Sequence, residues 1–144
     1  ASAQNERELS FTPYQPAAEE EYMNDAQLAH FRKILLDWKE QLISEAESTK
    51  SYIQDESTAM PDINDRATQE EEFALALRTR DRERKLIRKI DKSIAEIDSG
   101  DYGFCETCGV EIGVRRLEAR PTATQCIDCK TLSEIKEKQA WGHA

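Results

Sequence analysis

Cys105-Glu-Thr-Cys108 and Cys126-Ile-Asp-Cys129 contain all four cysteines of the chain and are separated by 17 residues. Two such pairs at this separation match the spacing of a site in which four thiolates bind one zinc ion, each pair supplying two sulfurs. Four thiolates fill the coordination shell of zinc and leave no position for water or substrate. The spacing therefore predicts one structural Zn²⁺ ion, which contributes folding free energy and carries out no reaction.

Two alternative uses of the cysteines are weaker. Disulfides form in oxidising compartments, and the N-terminal residues have neither the basic leader nor the apolar block of a secretory signal. A Cys-x-x-Cys redox motif usually lies near a βαβ pattern, which this sequence lacks. The metal site therefore remains the favoured interpretation of the four thiols.

The composition of the 144-residue chain suits long solvated helices. Charged residues make up 34% and aromatic residues 7%, which is lean for a compact core. No apolar run of 18 residues occurs, so we expect no membrane span. Because the N-terminal residues lack the features of a secretory leader, we expect a cytoplasmic location. We also expect a monomer. The net charge of −9 opposes loose attraction to nucleic acid or to an anionic membrane.

Apolar residues spaced three and four positions apart predict two long helices. The first begins after Asn24, which offers an N-cap with Gln27 as its reciprocal partner, and it ends before Pro61. The second begins with either Asp62 or Thr68 as its cap and ends at Gly100. The two seams comprise Leu28, Phe31, Leu35, Trp38 and Leu42 in the first helix, and Phe73, Ala76, Arg80, Glu83, Ile87, Ile90, Ile94 and Ile97 in the second.

Two long helices joined by a short turn are antiparallel neighbours, so the sequence predicts a helical hairpin. Folding the seams together places Trp38 opposite Ile87 and Phe31 opposite Ile94, while Glu45 faces Arg80. We therefore expect most of the burial at the base of the hairpin. The outer half would depend on ion pairs and helix propensity, and would be less protected from amide exchange.

The predicted fold is mainly α: a long antiparallel coiled-coil hairpin, a small globular domain with a four-cysteine zinc finger, and a C-terminal helix. Residues 1–23 form a lead-in whose aromatic residues pack on the globular part, and residues 24–99 form the hairpin, with its tip near 59–68. Residues 100–130 form the zinc finger, with β-prone pieces at 110–112 and 115–117. Residues 131–144 are assigned to the C-terminal helix, whose pattern extends over 127–141.

Charge is divided unevenly along the hairpin. Residues 54–72 hold seven acids and one arginine, a net charge of −6, whereas residues 78–92 hold eight bases and three acids, a net charge of +5. A solvated coiled coil with a mixed surface is one interpretation. Acids crowded at a turn repel each other, so an acidic tip is better suited to meeting a cation or a basic surface.

The run Cys105-x2-Cys108-x3-Ile112-x3-Arg116-x4-Pro121-x4-Cys126-x2-Cys129 resembles the zinc-finger signature of the DksA/TraR family at every fixed position. The resemblance extends over most of the chain, including Glu21-Tyr-Met-Asn-Asp-Ala-Gln-Leu-Ala-His-Phe31 and Arg80-Asp-Arg-Glu-Arg-Lys-Leu86. The chain resembles the longer members of this family, because the long hairpin and the N-terminal segment are both present.

The resemblance implies a regulator of transcription initiation that binds bacterial RNA polymerase rather than specific DNA sequences. The hairpin would enter the secondary channel of polymerase, and the protein would destabilise open complexes together with the nucleotide ppGpp. The family's tip motif matches at Asp62, Asp65 and Ala67, while Ile63 and Asn64 depart from it and Ala59 replaces an asparagine. Positions matching the ppGpp and polymerase interface are Arg82, Leu86, Lys89, Arg120 and Lys130.

Two other functions are alternatives to this one. A transcript-cleavage factor of the Gre type also presents an acidic hairpin tip, but the zinc signature argues against it. A zinc-ribbon nucleic-acid binder would use Arg115, Arg116 and Arg120, yet the module as a whole is not basic. No enzyme is expected, because the metal takes the thiols and neither His30 nor His143 has a nucleophile or carboxylate nearby in sequence.

Overall fold

The computed structural model of the protein describes residues 11–17, 19–58 and 63–142, without the side chains of residues 56–58 and 63–65. It contains helices α1 (Asp25–Thr58), α2 (Ile63–Ser99), α3 (Val114–Ala119) and α4 (Ile127–Gly142). The described ranges contain one isolated β bridge, between Phe104 and Glu111, and no strand. The prediction of a mainly α fold is confirmed. Within the same ranges, every helix is too short or too polar to span a bilayer.

The chain divides into two compact units. The cysteine unit combines the described residues up to Leu35 with those from Ser93 onward, and the hairpin unit spans Leu36–Lys92. Both long helices contribute to both units.

The predicted cap of α1 is present. The side-chain oxygen of Asn24 accepts a hydrogen bond from the Gln27 backbone N–H at 2.9 Å, and the Asn24 carbonyl accepts the first helical bond from Leu28. The Gln27 side chain reaches one residue further back than in a standard capping box, since its Oε1 accepts from the Met23 N–H at 2.8 Å. The helix start and the residue before it are therefore tied together.

The hairpin unit consists of antiparallel segments of α1 and α2. Lys39 Nζ lies 2.6 Å from Asp91 Oδ1, and Tyr52 Oη lies 3.4 Å from Glu72 Oε2. Residue numbers thus fall along α2 as they rise along α1, which confirms the predicted hairpin. The facing of Glu45 and Arg80 stays a prediction, and both residues are exposed.

Burial in the hairpin unit is confined to a few residues. Leu42 is 7% exposed, Ile90 is fully buried, and the acidic Glu83 is 7% exposed. Among the side chains described between Leu42 and Glu83, none is buried. One oxygen of Glu83, Oε1, is buried without a hydrogen-bond partner. The seam position of Glu83 was predicted correctly, but a buried carboxylate there weakens the layer it occupies.

The core of the cysteine unit is built from α1, α3 and the loop that follows α2. Phe31, Leu35, Tyr102 and Leu117 are its most deeply buried large side chains. The Phe31 and Tyr102 rings lie 5.7 Å apart, and the Tyr102 hydroxyl donates to the Pro121 carbonyl at 2.7 Å. Burial raises the pKa of Tyr102, so this hydroxyl remains a donor at neutral pH.

Gly100 ends α2 as predicted. It has a positive φ of 87°, its N–H donates to the Ile97 carbonyl, and the Asp101 N–H donates to the Glu96 carbonyl at 2.9 Å. This pair of bonds is the Schellman motif, which a glycine at this position permits. It turns the chain directly into the loop that carries the first cysteines.

Three local predictions differ from the structure. Thr68 is not a cap, because α2 already begins at Ile63; the alternative cap Asp62 and the break at Met60-Pro61 lie outside the described residues. Residues 115–117 lie in α3 and not in a β piece, and residues 110–112 contribute only one end of the β bridge. Helix α4 begins at Ile127, so the boundary placed after residue 130 falls inside a helix.

Candidate metal centre and its surroundings

The first cysteine pair lies on a tight loop. The Cys105 N–H donates to the Val110 carbonyl at 2.8 Å, and the Gly109 N–H donates to the Cys105 carbonyl at 2.9 Å. Gly109 has a φ of 80°, a left-handed conformation that glycine adopts without strain. The loop therefore reverses direction directly after Cys108 and brings both thiols to one side.

The second pair lies at the beginning of α4. Cys126 immediately precedes the helix, its carbonyl accepts from the Lys130 N–H at 3.0 Å, and its sulfur accepts from the Cys129 N–H at 3.4 Å. Cys126 thus occupies the N-cap position, where a side-chain acceptor usually satisfies this backbone donor. Cys129 follows in the first helical turn, so both sulfurs are placed by helix geometry.

The four sulfur atoms converge on one point. All lie within 4.8 Å of one another, and the Sγ atoms of Cys108 and Cys126 are 3.7 Å apart. A tetrahedral ion with bonds of about 2.3 Å to sulfur requires sulfur pairs about 3.8 Å apart. The donor set and its spacing fit a zinc ion. Cys105 and Cys126 are buried, whereas Cys108 is exposed.

Thiol acidity differs strongly within this cluster. A hydrogen bond from the backbone at Cys126 lowers the pKa of Cys105 to about 6, while contact with the Cys126 side chain raises the pKa of Cys129 to about 12. Four sulfurs this close do not all ionise unaided, because each thiolate disfavours the next. A divalent cation removes that repulsion and takes all four as thiolates.

Tyr22 contacts the loop of the first cysteine pair. Its hydroxyl donates to the Gly103 carbonyl at 2.7 Å and accepts from the Gly113 N–H at 2.9 Å. The sequence identified Tyr22 only as an aromatic residue of the lead-in. Nothing local marks the contact, because Tyr22 and Gly103 are 81 positions apart along the chain.

Glu118 is a second contact that the sequence did not reveal. Its buried carboxylate accepts from the Tyr14 backbone N–H at 2.8 Å and lies 3.3 Å from His30 Nε2. The rings of Phe11 and Tyr14 pack on His30, whose side chain is only 17% exposed. Glu118 lies 88 positions from His30 along the chain, so the sequence could not show that a carboxylate lies beside this histidine. His143 lies outside the described residues.

Three arginines line an open groove of about 640 Å³ in the cysteine unit, together with Pro16 and Ile127. They are Arg115, Arg116 and Arg120, the residues considered for nucleic-acid binding. Arg116 is already engaged through its Nε, which donates to the Gln125 carbonyl at 3.1 Å, and Arg115 lies 3.7 Å from Glu118. The Glu118 carboxylate offsets part of the Arg115 charge, whereas the bond from Arg116 occupies one of its donors without changing its charge.

The tip residues are only partly covered by the structure. Asp62 and Ala59 lie outside the described residues. Asp65 lies in α2, but its side chain, like those of Ile63 and Asn64, is outside the description. Ala67 is exposed on the same helix. The geometry of the acidic groups at the tip stays a prediction.

The residues matched to the ppGpp interface fall in different units. Arg82, Leu86 and Lys89 follow one another at helical spacing along α2 in the hairpin unit, with both cationic residues exposed. Arg120 and Lys130 belong to the cysteine unit, where Arg120 is exposed and Lys130 half-buried. Within each unit these residues are accessible to a ligand. A common site remains a prediction.

Comparison with known proteins agrees with the sequence signature. Residues 27–97 match the model of the N-terminal domain of DnaK suppressor protein DksA, and residues 100–134 match the prokaryotic DksA/TraR C4-type zinc finger.

Two curated relatives are named "RNA polymerase-binding transcription factor DksA". The one from Escherichia coli K12 is 62% identical over 90% of this chain and 86% of its own, and the one from Haemophilus influenzae is 61% identical over 90% of each. Both names describe transcription factors and not enzymes. The solved structure of transcription factor DksA2 from Pseudomonas aeruginosa superposes with a TM-score of 0.78 at 39% identity, covering 86% of this chain and 94% of that one.

The helical hairpin, the four clustered thiols and the identities above 60% over nine-tenths of the sequence all support one assignment. The chain belongs to the DksA family, and its residues 100–134 match the C4-type zinc finger.

Proposed function

We propose that this protein binds bacterial RNA polymerase and regulates the initiation of transcription. The observation that carries the proposal is the match, over 90% of the chain, to relatives named as RNA polymerase-binding transcription factors. This match includes both the hairpin unit and the cysteine unit. The hairpin would enter the secondary channel of polymerase and destabilise open complexes. It would act by binding some states of polymerase better than others, without catalysing a reaction.

Acidic residues at the end of the hairpin would carry this effect. The segment 54–72 has a net charge of −6, and like charges gathered at a turn add little to stability. Asp62 and Asp65 would face a cation or a basic surface of polymerase, with Ala67 beside them. Output would fall at promoters with short-lived open complexes, such as those of ribosomal RNA, and rise at some biosynthetic promoters.

The test is transcription in vitro from a ribosomal RNA promoter with the double variant Asp62→Asn, Asp65→Asn. It should bind polymerase as the wild type does and lose most of the inhibition. Glu40→Gln with Glu47→Gln is a matched control, because it removes the same charge from two exposed positions of α1 that lie outside the acidic segment. Equal inhibition by both double variants and the wild type would exclude an acidic-tip mechanism. The alternative function, transcript cleavage, is tested by adding the protein to a backtracked transcription complex and measuring cleavage of the RNA.

The nucleotide ppGpp is the proposed effector. Arg82, Lys89, Arg120 and Lys130 offer cations suited to phosphate oxygens, and Leu86 offers an apolar contact between the first two. Lys89→Ala should reduce the stimulation of polymerase regulation by ppGpp. Arg84→Ala removes a charge from the opposite side of α2 and should leave that stimulation intact. Co-purification with polymerase, with and without ppGpp, tests partner and effector together.

The metal proposed for the four thiols is one structural Zn²⁺ ion. Its support is the close convergence of the four sulfur atoms and the match to a C4-type zinc finger. When bound, the ion would neutralise the thiolates and hold the loop of Cys105 and Cys108 against the start of α4. Metal analysis of the purified chain should give one zinc per molecule.

A further inference from the structure

Tyr22 lies at the neck of the loop that carries Cys105 and Cys108. Gly103 precedes this pair and Gly113 follows it, and the Tyr22 hydroxyl bonds to both, at 2.7 Å to the Gly103 carbonyl and 2.9 Å from the Gly113 N–H. One phenol oxygen therefore joins the two ends of the ligand loop.

The loop has few other bonds across its neck. The Ile112 N–H donates to the Gly103 carbonyl at 2.8 Å, and Phe104 pairs with Glu111 in the isolated bridge. The Gly103 carbonyl thus accepts two hydrogen bonds, one from inside the loop and one from Tyr22. Without the phenol, the Gly113 N–H would lose the acceptor described for it.

Tyr22 is itself held firmly. Its ring packs edge-on against Phe104 with centroids 5.5 Å apart. The next residue, Met23, lies so close to Gly103 that a Cβ there would come within 2.8 Å of Met23 Cγ, so only glycine permits the approach. The Met23 N–H is bonded to Gln27, which is 2% exposed in the first turn of α1. These contacts fix the position of Tyr22 relative to the beginning of α1.

The un-ionised form of Tyr22 is the form that makes this contact. Burial raises the pKa of its phenol, so the hydroxyl is protonated at neutral pH and available to donate to the Gly103 carbonyl.

We propose that Tyr22 is a positioning residue for the metal centre. Its hydroxyl holds the loop of the first cysteine pair in the geometry that binds zinc, and it thereby couples zinc retention to the docking of the N-terminal segment on the cysteine unit. The inference rests on the proposed zinc site and extends it to a residue that does not contact the ion. Displacing the segment around Tyr22 would weaken the hold on the metal.

The experiment compares Tyr22→Phe with the wild type as zinc-loaded full-length chains. Zinc release to the chromogenic chelator 4-(2-pyridylazo)resorcinol is followed over time, and zinc affinity is measured by competition. Outer-shell contacts of metal sites typically contribute about 10- to 100-fold in affinity. Because Tyr22 acts through the loop backbone, we expect about tenfold weaker binding, with faster release and faster amide exchange at Gly113.

Tyr14→Phe is the matched control. It removes the same hydroxyl from the same segment, where the Tyr14 phenol bonds to Glu20 Oε1 at 2.6 Å and not to the ligand loop. Its release rate should stay within about twofold of the wild type, since no outer-shell contact is lost. Wild-type release from Tyr22→Phe, or equal acceleration in both variants, would overturn the positioning role while leaving the zinc site intact. A wild-type chain that binds no zinc would overturn both proposals.

Discussion

The cysteine unit and the hairpin unit reach stability by different means. In the cysteine unit, side chains bond to backbone groups far along the chain; the Glu118 carboxylate, for example, accepts from the Tyr14 N–H 104 positions away. In the hairpin unit, Ser48 and Thr49 bond to carbonyls four residues earlier on the same helix, and cross-helix pairs such as Lys39 with Asp91 are partly exposed. Long-range contacts close large loops and lock one arrangement, whereas local bonds and exposed pairs add little each. The structure of the cysteine unit should therefore be more strongly determined by its contacts than that of the hairpin unit.

Loss of the metal should produce the largest difference between the units. Cys129→Ser removes one of the proposed ligands, and structural zinc contributes about 10–16 kcal/mol to folding in small zinc domains at neutral pH. We expect loss of bound zinc and of the near-ultraviolet signal of the cysteine unit, with much of the helical signal of the hairpin unit retained. Metal analysis and circular dichroism are the measurements.

Ser133→Ala is the control for this change, because it removes one side-chain contact with Gln125 near the site without touching a ligand. A Cys129→Ser chain with full zinc content and an unchanged melting profile would contradict the assignment of the ligands.

Core truncation should produce the next largest effect. Leu117 is fully buried in the cysteine unit, so Leu117→Ala should cost about 2–5 kcal/mol of unfolding free energy. Leu75 is 51% exposed in the hairpin unit, and Leu75→Ala, the same chemical change, should cost less than about 1 kcal/mol. Urea denaturation of both variants measures the difference. Equal costs would mean that burial does not distinguish the units.

The hairpin unit should gain stability from a change at Glu83. Because Oε1 of this carboxylate is buried without a hydrogen-bond partner, Glu83→Leu should stabilise the hairpin unit by about 1–3 kcal/mol. Glu71→Leu makes the same substitution at an exposed position of α2 and should change little. The midpoint of the helical signal in urea provides the measurement. A destabilised Glu83→Leu would instead indicate that the carboxylate makes a favourable interaction in solution.

The smallest effect concerns acid sensitivity in the cysteine unit. The hydrogen bond from Tyr14 lowers the pKa of Glu20, and a second bond from Gln27 acts in the same direction. A lowered pKa in the folded state stabilises the protein above the ordinary pKa of 4.5, and this contribution is lost as the pH falls through the folded value. Tyr14→Phe should therefore flatten the acid limb of the stability profile. The measurement is the melting temperature of the wild type and of Tyr14→Phe between pH 3 and pH 6. The same slope for both proteins would mean that the Tyr14–Glu20 hydrogen bond is absent in solution.

Local features were predictable from the sequence. The cysteine spacing, the Asn24 cap and the Gly100 ending each depend on residues within a few positions of one another, and all three are present. The antiparallel hairpin followed from the two seams and a short connection.

Two kinds of feature were not predictable. Contacts such as Tyr22 with Gly113 join positions that have no periodic relationship, so no pattern marks them. Helix α3 was missed because Gly113, which precedes it, has a φ of 104° and offers no side-chain cap, which removes the usual start signal. His30 lies off the apolar seam, and the residues that cover it include Phe11, Tyr14 and the distant Glu118.

The position of Cys126 has a consequence for the end of the chain. No residue of α4 from Ile127 to Trp141 is buried. Packing therefore contributes little free energy to offset the formation of the first helical turn, which is the unfavourable step in forming a helix. Ligation would pin Cys126 and Cys129 across that turn and supply the nucleus from which the remaining turns propagate. Removal of the zinc ion by a chelator should therefore unfold all of α4, including the turns that do not contact the ion.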